Sequence, residues 1–219
     1  MLIPKDRKGN PMLLLPRRFT AALLSAGVVG VAFTVGHTGF VSAQDGGEVN
    51  RASFNNDGTV NQPVNWRSWV FVGAPLTPNL LNGGEAAFPE YHNVYIEPSA
   101  FEHWSRTGEW ADGTQFAKEL VLIREGDDCV EDNQACFESS GLGYFQGEFA
   151  GLELKVRDAE RFAGEPGNWA YFSFGHQPEP YEATAAAFPT DACNACHEGN
   201  AADDFVFTQY YPVLRAAKP

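Results

Sequence analysis

The chain has 219 residues, of which 44% are hydrophobic and 20% are charged, as is usual for a globular protein. Its formal net charge of −13 opposes binding to nucleic acid and to anionic membrane surfaces, because both attract basic proteins. We therefore expect neither a nucleic-acid partner nor an anionic lipid partner.

The first 43 residues have the pattern of a secretory signal peptide. Five basic residues precede an apolar run at residues 21–35, and the small residues Ser42 and Ala43 follow it. A membrane anchor is the alternative, but the run is short for a span and rich in Gly and Ala. Cleavage after Ala43 would leave residues 44–219 as a single domain, whose ten basic and 27 acidic side chains give a net charge of −17. We expect a periplasmic protein that is not inserted in the membrane.

The rest of the chain predicts an α+β fold, predominantly an antiparallel β-sheet with a few helices. Residues 98–107 predict a short helix stopped by Gly108, and residues 143–158 predict two strands interrupted at Gly147 or Gly151. In chain order, the predicted elements are a strand within 66–76, a strand within 92–98, the helix, a strand within 113–126, the two strands of 143–158, a strand within 168–177 and a helical end at 205–217.

Two charged residues lie among apolar neighbours on these predicted strands. Alternation places Lys118 on the same face as Phe116 and Leu120, whereas Glu153 lies opposite the face that carries the neighbouring leucines. A lysine on an apolar face is unusual, but an edge-strand lysine can extend its ammonium group to water. Glu153 can likewise be a charge on a solvated face of its strand. For each of the two residues, spacing alone does not decide between a surface charge and a residue of a functional site.

Cys129 and Cys136 lie in a polar loop bounded by glycines, with no histidine nearby. In an oxidising compartment, two cysteines this close in a loop favour a disulfide over a metal site. We predict that they are bonded to each other.

Cys193, Cys196 and His197 form the pattern Cys-x-x-Cys-His near the end of the chain. This is the attachment pattern of a c-type haem, in which two thiols add to the haem vinyl groups and the histidine binds the iron. A redox pair and half of a zinc site are the alternatives. A redox pair favours a βαβ context, and a zinc site needs a second ligand pair; the sequence indicates neither. We predict covalent haem c, with a helical binding segment and His197 as the metal ligand.

The sixth iron position bears on function. Electron carriers often use methionine there, but the two methionines, Met1 and Met12, both lie in the predicted leader. The histidines His92, His103 and His176 are candidate ligands. We favour a five-coordinate iron with one open face, which can bind small molecules or react with them.

From Trp66 to Lys218 the chain resembles the cytochrome P460 family. The resemblance rests on six stretches, "NWRSWVFVGAPLTPN", "NVYIEP", "DGTQFAKEL", "GYFQGEFAGLE", "RFAGEPGNWAYF" and "CNACHEGNAADDFVFTQYYPVLR". It implies a dimeric, largely antiparallel β protein with one c-type haem per chain. It also implies periplasmic oxidation of hydroxylamine to nitrous oxide or nitrite by way of an iron nitrosyl, with nitric oxide as a second small ligand.

The same resemblance assigns roles to individual residues. Lys118 in "AKEL" matches a lysine whose nitrogen bonds covalently to a haem meso carbon, and Glu153 in "AGLE" matches a distal carboxylate that accepts protons. Where the family is expected to place a distal arginine, this chain has His92, which would alter substrate capture or supply a sixth ligand. Phe88 is a further candidate for the pocket lining.

The function implied is that of an enzyme of the hydroxylamine oxidoreductase type, with a basic c-type cytochrome as electron acceptor for its acidic surface. Two alternatives remain at this point. One is a β-fold c-type cytochrome that binds nitric oxide without catalysis, and the other is an electron-transfer cytochrome.

Overall fold

The computed structural model describes residues 48–130 and 134–219, so the predicted signal peptide at 1–43 lies outside the described residues. Its central feature is a five-stranded antiparallel sheet with the order β2-β3-β4-β7-β8. These strands are β2 (Val70–Gly73), β3 (Tyr91–Ile96), β4 (Gln115–Ile123), β7 (Gln146–Arg157) and β8 (Trp169–Ser173).

Two small antiparallel pairs accompany the central sheet. The strand β1 (Val60–Asn61) pairs with β9 (Thr184–Ala185), and β5 (Cys136–Glu138) pairs with β6 (Gly141–Gly143). The disulfide between Cys129 and Cys136 is present beside the second pair, which confirms the predicted bond.

Three helices complete the described fold: α1 (Pro98–Thr107), α2 (Thr190–Asn200) and α3 (Pro212–Ala217). Short 3-10 turns lie at Trp66–Ser68, Asn79–Asn82, Pro166–Asn168 and Thr208–Tyr210. The predicted α+β class is confirmed, and the Cys-x-x-Cys-His segment is helical as expected. In the parts of the chain that the structure describes, no helix has both the length and the apolar composition needed to cross a membrane.

Residues next to helix α1 in the sequence determine where the helix begins and ends. The Glu97 side chain accepts hydrogen bonds from the backbone N–H groups of Ser99 and Ala100, which otherwise lack partners at a helix start. At the other end Gly108 has φ 71° and donates its N–H to the Trp104 carbonyl. A left-handed residue at this position suits glycine, so the predicted stop at Gly108 is confirmed.

Alternation along the strands gives the central sheet two different faces. The front face carries Val94, Phe116 and Tyr171 and packs under the helices, where Trp104 and Trp110 stack with ring centroids 3.8 Å apart. The back face, which includes Ala117 and Leu154, builds a second core with the segments around β1 and β9. Most of the stabilisation of the sheet comes from the burial of these apolar faces.

The sequence prediction was wrong about the interruption between two strands in residues 143–158. The structure has one continuous strand, β7, in which the register against β4 shifts near Val121. These irregularities are β-bulges, which accommodate extra residues without ending a strand. Gly151 serves close packing rather than a turn, because a Cβ atom there would lie 3.0 Å from the Gly175 carbonyl oxygen.

The segment 66–76 also differs in detail from the prediction. Residues Trp66–Ser68 form a 3-10 turn with Asn65 in the left-handed region, and only Val70–Gly73 extend as a strand.

Candidate functional site

Helix α2 positions the Cys-x-x-Cys-His motif beside the front face of the sheet. Cys193 packs against the front core, whereas Cys196 is exposed, and both are free thiols. Asn194, between them, donates hydrogen bonds to the Glu165 carboxylate at 3.1 Å and to the Trp169 carbonyl at 3.4 Å. These bonds fix α2 on β8, so the two thiols and His197 have a defined position relative to the sheet.

His197 has a defined tautomer. Its Nδ1 lies 2.7 Å from the Phe205 carbonyl oxygen, which can only accept a hydrogen bond, so Nδ1 carries the proton. The ring is flanked by Tyr171 and Phe207, each with its centroid 4.6 Å away. The pKa of His197 is lowered to about 4, mainly by burial and also by the charges of Lys155 and Lys118, which the hydrogen bond to the Phe205 carbonyl partly opposes. The imidazole is therefore neutral, with the Nε2 lone pair available to a metal.

Lys155 occupies the same part of the front face. Its Nζ also donates to the Phe205 carbonyl, and it lies 4.0 Å from the Trp169 ring centroid. The side chain is buried, and burial holds the pKa of Lys155 well below its ordinary value. Alternation along β7 puts Lys155 on the same face as Glu153, but nothing in the sequence indicates its contact with the carbonyl that His197 uses.

Lys118 and Glu153 are directly opposite each other on β4 and β7. Lys118 Nζ lies 2.5 Å from Glu153 Oε2, and the two side chains are 23% and 28% exposed. The predicted strand positions and faces of both residues are confirmed. The pair projects from the front face at an open surface, not into an enclosed core.

Phe88 and His92 lie at the same place. Lys118 Nζ is 4.4 Å from the Phe88 ring centroid, and the Phe88 and His92 rings are 5.6 Å apart in an edge-to-face arrangement. Burial lowers the pKa of His92 to about 3, and the charge of Lys118 acts in the same direction. The His92 Nε2 atom is buried without a hydrogen-bond partner among the described residues.

The charges of Lys118 and Glu153 act on residues of the Cys-x-x-Cys-His helix. Burial raises the pKa of the Cys193 thiol most, the Glu153 carboxylate raises it further, and Lys118 opposes both. Lys118 likewise acts on His197. The structure therefore brings all seven sequence-predicted site residues to one face: Phe88, His92, Lys118, Glu153, Cys193, Cys196 and His197.

The other two candidate histidines have different surroundings. His176 Nε2 pairs with Glu90 Oε1 at 2.8 Å and is largely exposed. His103 lies within α1.

A model of the family described as Cytochrome P460 matches residues 63–208. The chain belongs to the cytochrome P460 family. No curated protein matches the chain. The matched range contains every predicted site residue, and membership in the cytochrome P460 family implies a haem with its iron.

The residues present fit a haem. Two thiols and an imidazole with a free Nε2 lie on one helix, opposite an open polar pair. The Tyr171 hydroxyl and His92 Nε2 are both buried and lack partners among the described residues. Buried polar groups are generally hydrogen-bonded, so such atoms are usual where a cofactor or its ligand completes the site. Sequence reasoning missed Tyr171, because an aromatic residue on a strand most often belongs to the core.

Proposed function

We propose that this protein is a mono-haem c-type cytochrome that oxidises hydroxylamine, to nitrous oxide or nitrite, at a five-coordinate haem cross-linked to Lys118. The observation that carries the proposal is the Lys118–Glu153 pair on the sheet face against which the Cys-x-x-Cys-His helix packs. An electron carrier or a passive gas-binding protein has no need of a lysine and a carboxylate at that place.

Cys193 and Cys196 would hold the haem through thioether bonds, and His197 Nε2 would bind the iron. When bound, the haem supplies an open iron site for hydroxylamine nitrogen and takes up the electrons of its oxidation. The chain fixes the proximal ligand in advance, because the Phe205 carbonyl holds the Nδ1 proton of His197.

Lys118 would form the third covalent link, in which its Nζ would replace the hydrogen of a haem meso carbon. Because this substitution removes two electrons and two protons, it needs an external two-electron oxidant such as hydrogen peroxide. A lysine attacks carbon only as the neutral amine, so its ammonium group must first lose a proton. Glu153 Oε2 lies 2.5 Å from Nζ and is placed to accept that proton. Once Nζ is covalently bound and Glu153 has released the proton to water, Glu153 no longer faces an ammonium ion and its carboxylate is available to the substrate.

Glu153 would then act as general base during turnover. Oxidation of hydroxylamine releases protons along with electrons, and a carboxylate within hydrogen-bond reach can accept them. His92 is neutral and its Nε2 is unpartnered, so it offers hydrogen bonding to the substrate at the position where an arginine was expected. The Phe88 ring would exclude water from that side.

The cellular setting belongs to the same proposal. We place the mature protein in the periplasm as a homodimer that passes electrons to a soluble, basic c-type cytochrome. The supports are the leader-like residues 1–43 and the net charge of −17 on residues 44–219, which favours a basic partner.

The test is production of the protein with a haem-attachment system, followed by peptide mapping and hydroxylamine-dependent reduction of a dye. Wild type should give a haem peptide joined to both the 193–197 segment and the Lys118 peptide. Lys118→Ala should keep both thioether bonds, show an ordinary c-type spectrum and fail to oxidise hydroxylamine. Lys218→Ala is the matched control, because that lysine pairs with Asp203 instead.

A wild-type haem peptide without the Lys118 segment would contradict the cross-link. If that protein still bound nitric oxide but did not turn over hydroxylamine, the gas-binding function would replace the enzymatic one.

A further inference from the structure

One backbone carbonyl oxygen, that of Phe205, accepts hydrogen bonds from two side chains of the site. His197 Nδ1 lies 2.7 Å from it, and Lys155 Nζ donates to the same atom. We propose that Lys155 is a positioning residue that weakens the hydrogen bond of the proximal imidazole and thereby raises the reduction potential of the iron. The inference rests on the proposed ligation of haem by His197, but not on the identity of the substrate.

The carbonyl is held in place, so it cannot turn toward one donor alone. Asp204 has φ 38° and Phe205 has φ 64°, in the left-handed region that residues with side chains seldom adopt. Asp203 and Val206 close this turn with reciprocal backbone hydrogen bonds of 3.2 and 2.8 Å. A backbone held in an unfavourable conformation beside a ligand is typical of a functional site.

The Lys155 side chain is also held in place by its neighbours. It lies on β7 between Phe116 of β4 and Tyr171 of β8, with its Nζ over the Trp169 ring. The Phe205 carbonyl is the hydrogen-bond acceptor of its Nζ, and the carboxylate of Asp204, the residue before it, attracts the same group electrostatically. Burying an amine is costly unless it is hydrogen-bonded, and this cost favours retention of the contact.

Two donors on one carbonyl oxygen compete for its electron density. A proximal imidazole with a strong Nδ1–H hydrogen bond gains imidazolate character and becomes a more basic ligand, which favours ferric iron. Lys155 reduces the acceptor strength of the carbonyl, so the imidazole stays closer to neutral and ferrous iron is favoured. A neutral amine and an ammonium ion both donate hydrogen bonds, so the direction does not depend on the protonation of Lys155.

The experiment compares haem-loaded wild type with Lys155→Met, which removes the donor but keeps an apolar stem of similar length. The reduction potential should shift downward, and the iron–histidine stretching frequency of the ferrous protein should shift upward in resonance Raman spectra. Lys155→Arg restores a donor and should return both values toward those of wild type. Arg215→Met is the matched control, because Arg215 donates to the Thr208 and Gln209 carbonyls at 2.9 and 2.6 Å, not to Phe205.

Unchanged potential and stretching frequency in a haem-loaded Lys155→Met protein would overturn the inference, even if hydroxylamine turnover were normal. Equal shifts in Arg215→Met would also overturn it, since they would reflect loss of any nearby charge. By contrast, the expected shifts in a protein that does not oxidise hydroxylamine would support the role of Lys155 and contradict the proposed function.

Discussion

At the scale of single residues, the front face of the sheet carries one pair of opposite charges, Lys118 and Glu153. Across the sheet, Lys118 and Glu153 lie side by side between Val94 of β3 and Ser173 of β8. A directly opposed pair of opposite charges on neighbouring strands contributes only about 0.2–1 kcal/mol to stability. Stability alone therefore does not account for these two residue types at this place.

Glu153→Gln separates the role of the carboxylate from its shape. The amide keeps the size and hydrogen-bonding capacity of the side chain but cannot accept a proton at neutral pH. Loss of a general base typically costs about 10²–10⁴-fold in rate, so hydroxylamine oxidation should slow by that factor while binding persists. Stopped-flow single-turnover kinetics measures the two steps separately.

Glu138→Gln is a useful control for that measurement, because Glu138 is also a carboxylate in an ion pair, with Arg124 at 3.0 Å, but lies on β5 outside the five-stranded sheet. It should leave the single-turnover rate of the haem-loaded protein close to wild type. If the Glu153→Gln protein reacted at the wild-type rate, Glu153 would not be the general base and would be only a charged residue on a solvated strand face.

Sequence alternation was sufficient to place Glu153 and Lys155 on one face of their strand, because a regular strand has a period of two. It could not place Lys118 on that same face, which requires the register between β4 and β7. It could not show that Lys155 shares an acceptor with His197. That acceptor is a backbone carbonyl, and its position depends on the left-handed turn at Asp204 and Phe205. Neither residue is a glycine, so the usual sequence signal of a left-handed backbone is missing there.

At the scale of elements, strand β7 shows why Gly147 and Gly151 were wrongly predicted to interrupt a strand. A glycine inside a strand pattern indicates either a turn or a close approach, and sequence alone does not distinguish them. In the fold, His176 and the Gly175 carbonyl pack over Gly151, and this contact is remote in sequence. The helix α1 was predictable because its cap and its stop are local signals.

Gly151→Ala tests the close approach. The new Cβ atom would lie 3.0 Å from the Gly175 carbonyl oxygen and 3.1 Å from Leu120 Cδ1, so the backbone must shift. Such overpacking should lower the free energy of unfolding by about 1–3 kcal/mol. Gly164→Ala is the control, since nothing lies within 4 Å of its Cβ position, and it should change stability by less than about 0.5 kcal/mol. Urea denaturation followed by tryptophan fluorescence measures both; equal values would contradict the packing argument.

The disulfide beside β5 should act on stability and not on chemistry. It closes a short loop between Cys129 and Cys136, away from the front-face pair. By the loop-entropy relation, replacing both cysteines with serine should cost about 2–3 kcal/mol of unfolding free energy. The double variant should retain its haem spectrum and its turnover. A loss of turnover at temperatures where the variant is fully folded would assign this loop a role in the site.

The whole molecule combines a strongly acidic surface with a site that is only partly exposed to solvent. The net charge of −17 on residues 44–219 creates a long-range potential, while Lys118 and Glu153 are only 23% and 28% exposed. A small neutral substrate such as hydroxylamine is little affected by that potential. A protein partner is strongly affected, because its whole charge interacts with the surface.

Electron transfer to a basic c-type cytochrome should therefore depend steeply on salt. The Debye length falls from about 30 Å at 0.01 M ionic strength to about 10 Å at 0.1 M, so attraction between the two proteins is largely screened over that range. The second-order rate constant for reduction of the cytochrome, followed by its absorbance after addition of hydroxylamine, should fall by about tenfold or more. Reduction of a small neutral dye by the same protein is the control and should change little. If both acceptors responded equally, salt would be acting on the haem site itself, and the acidic surface would have no part in choosing the partner.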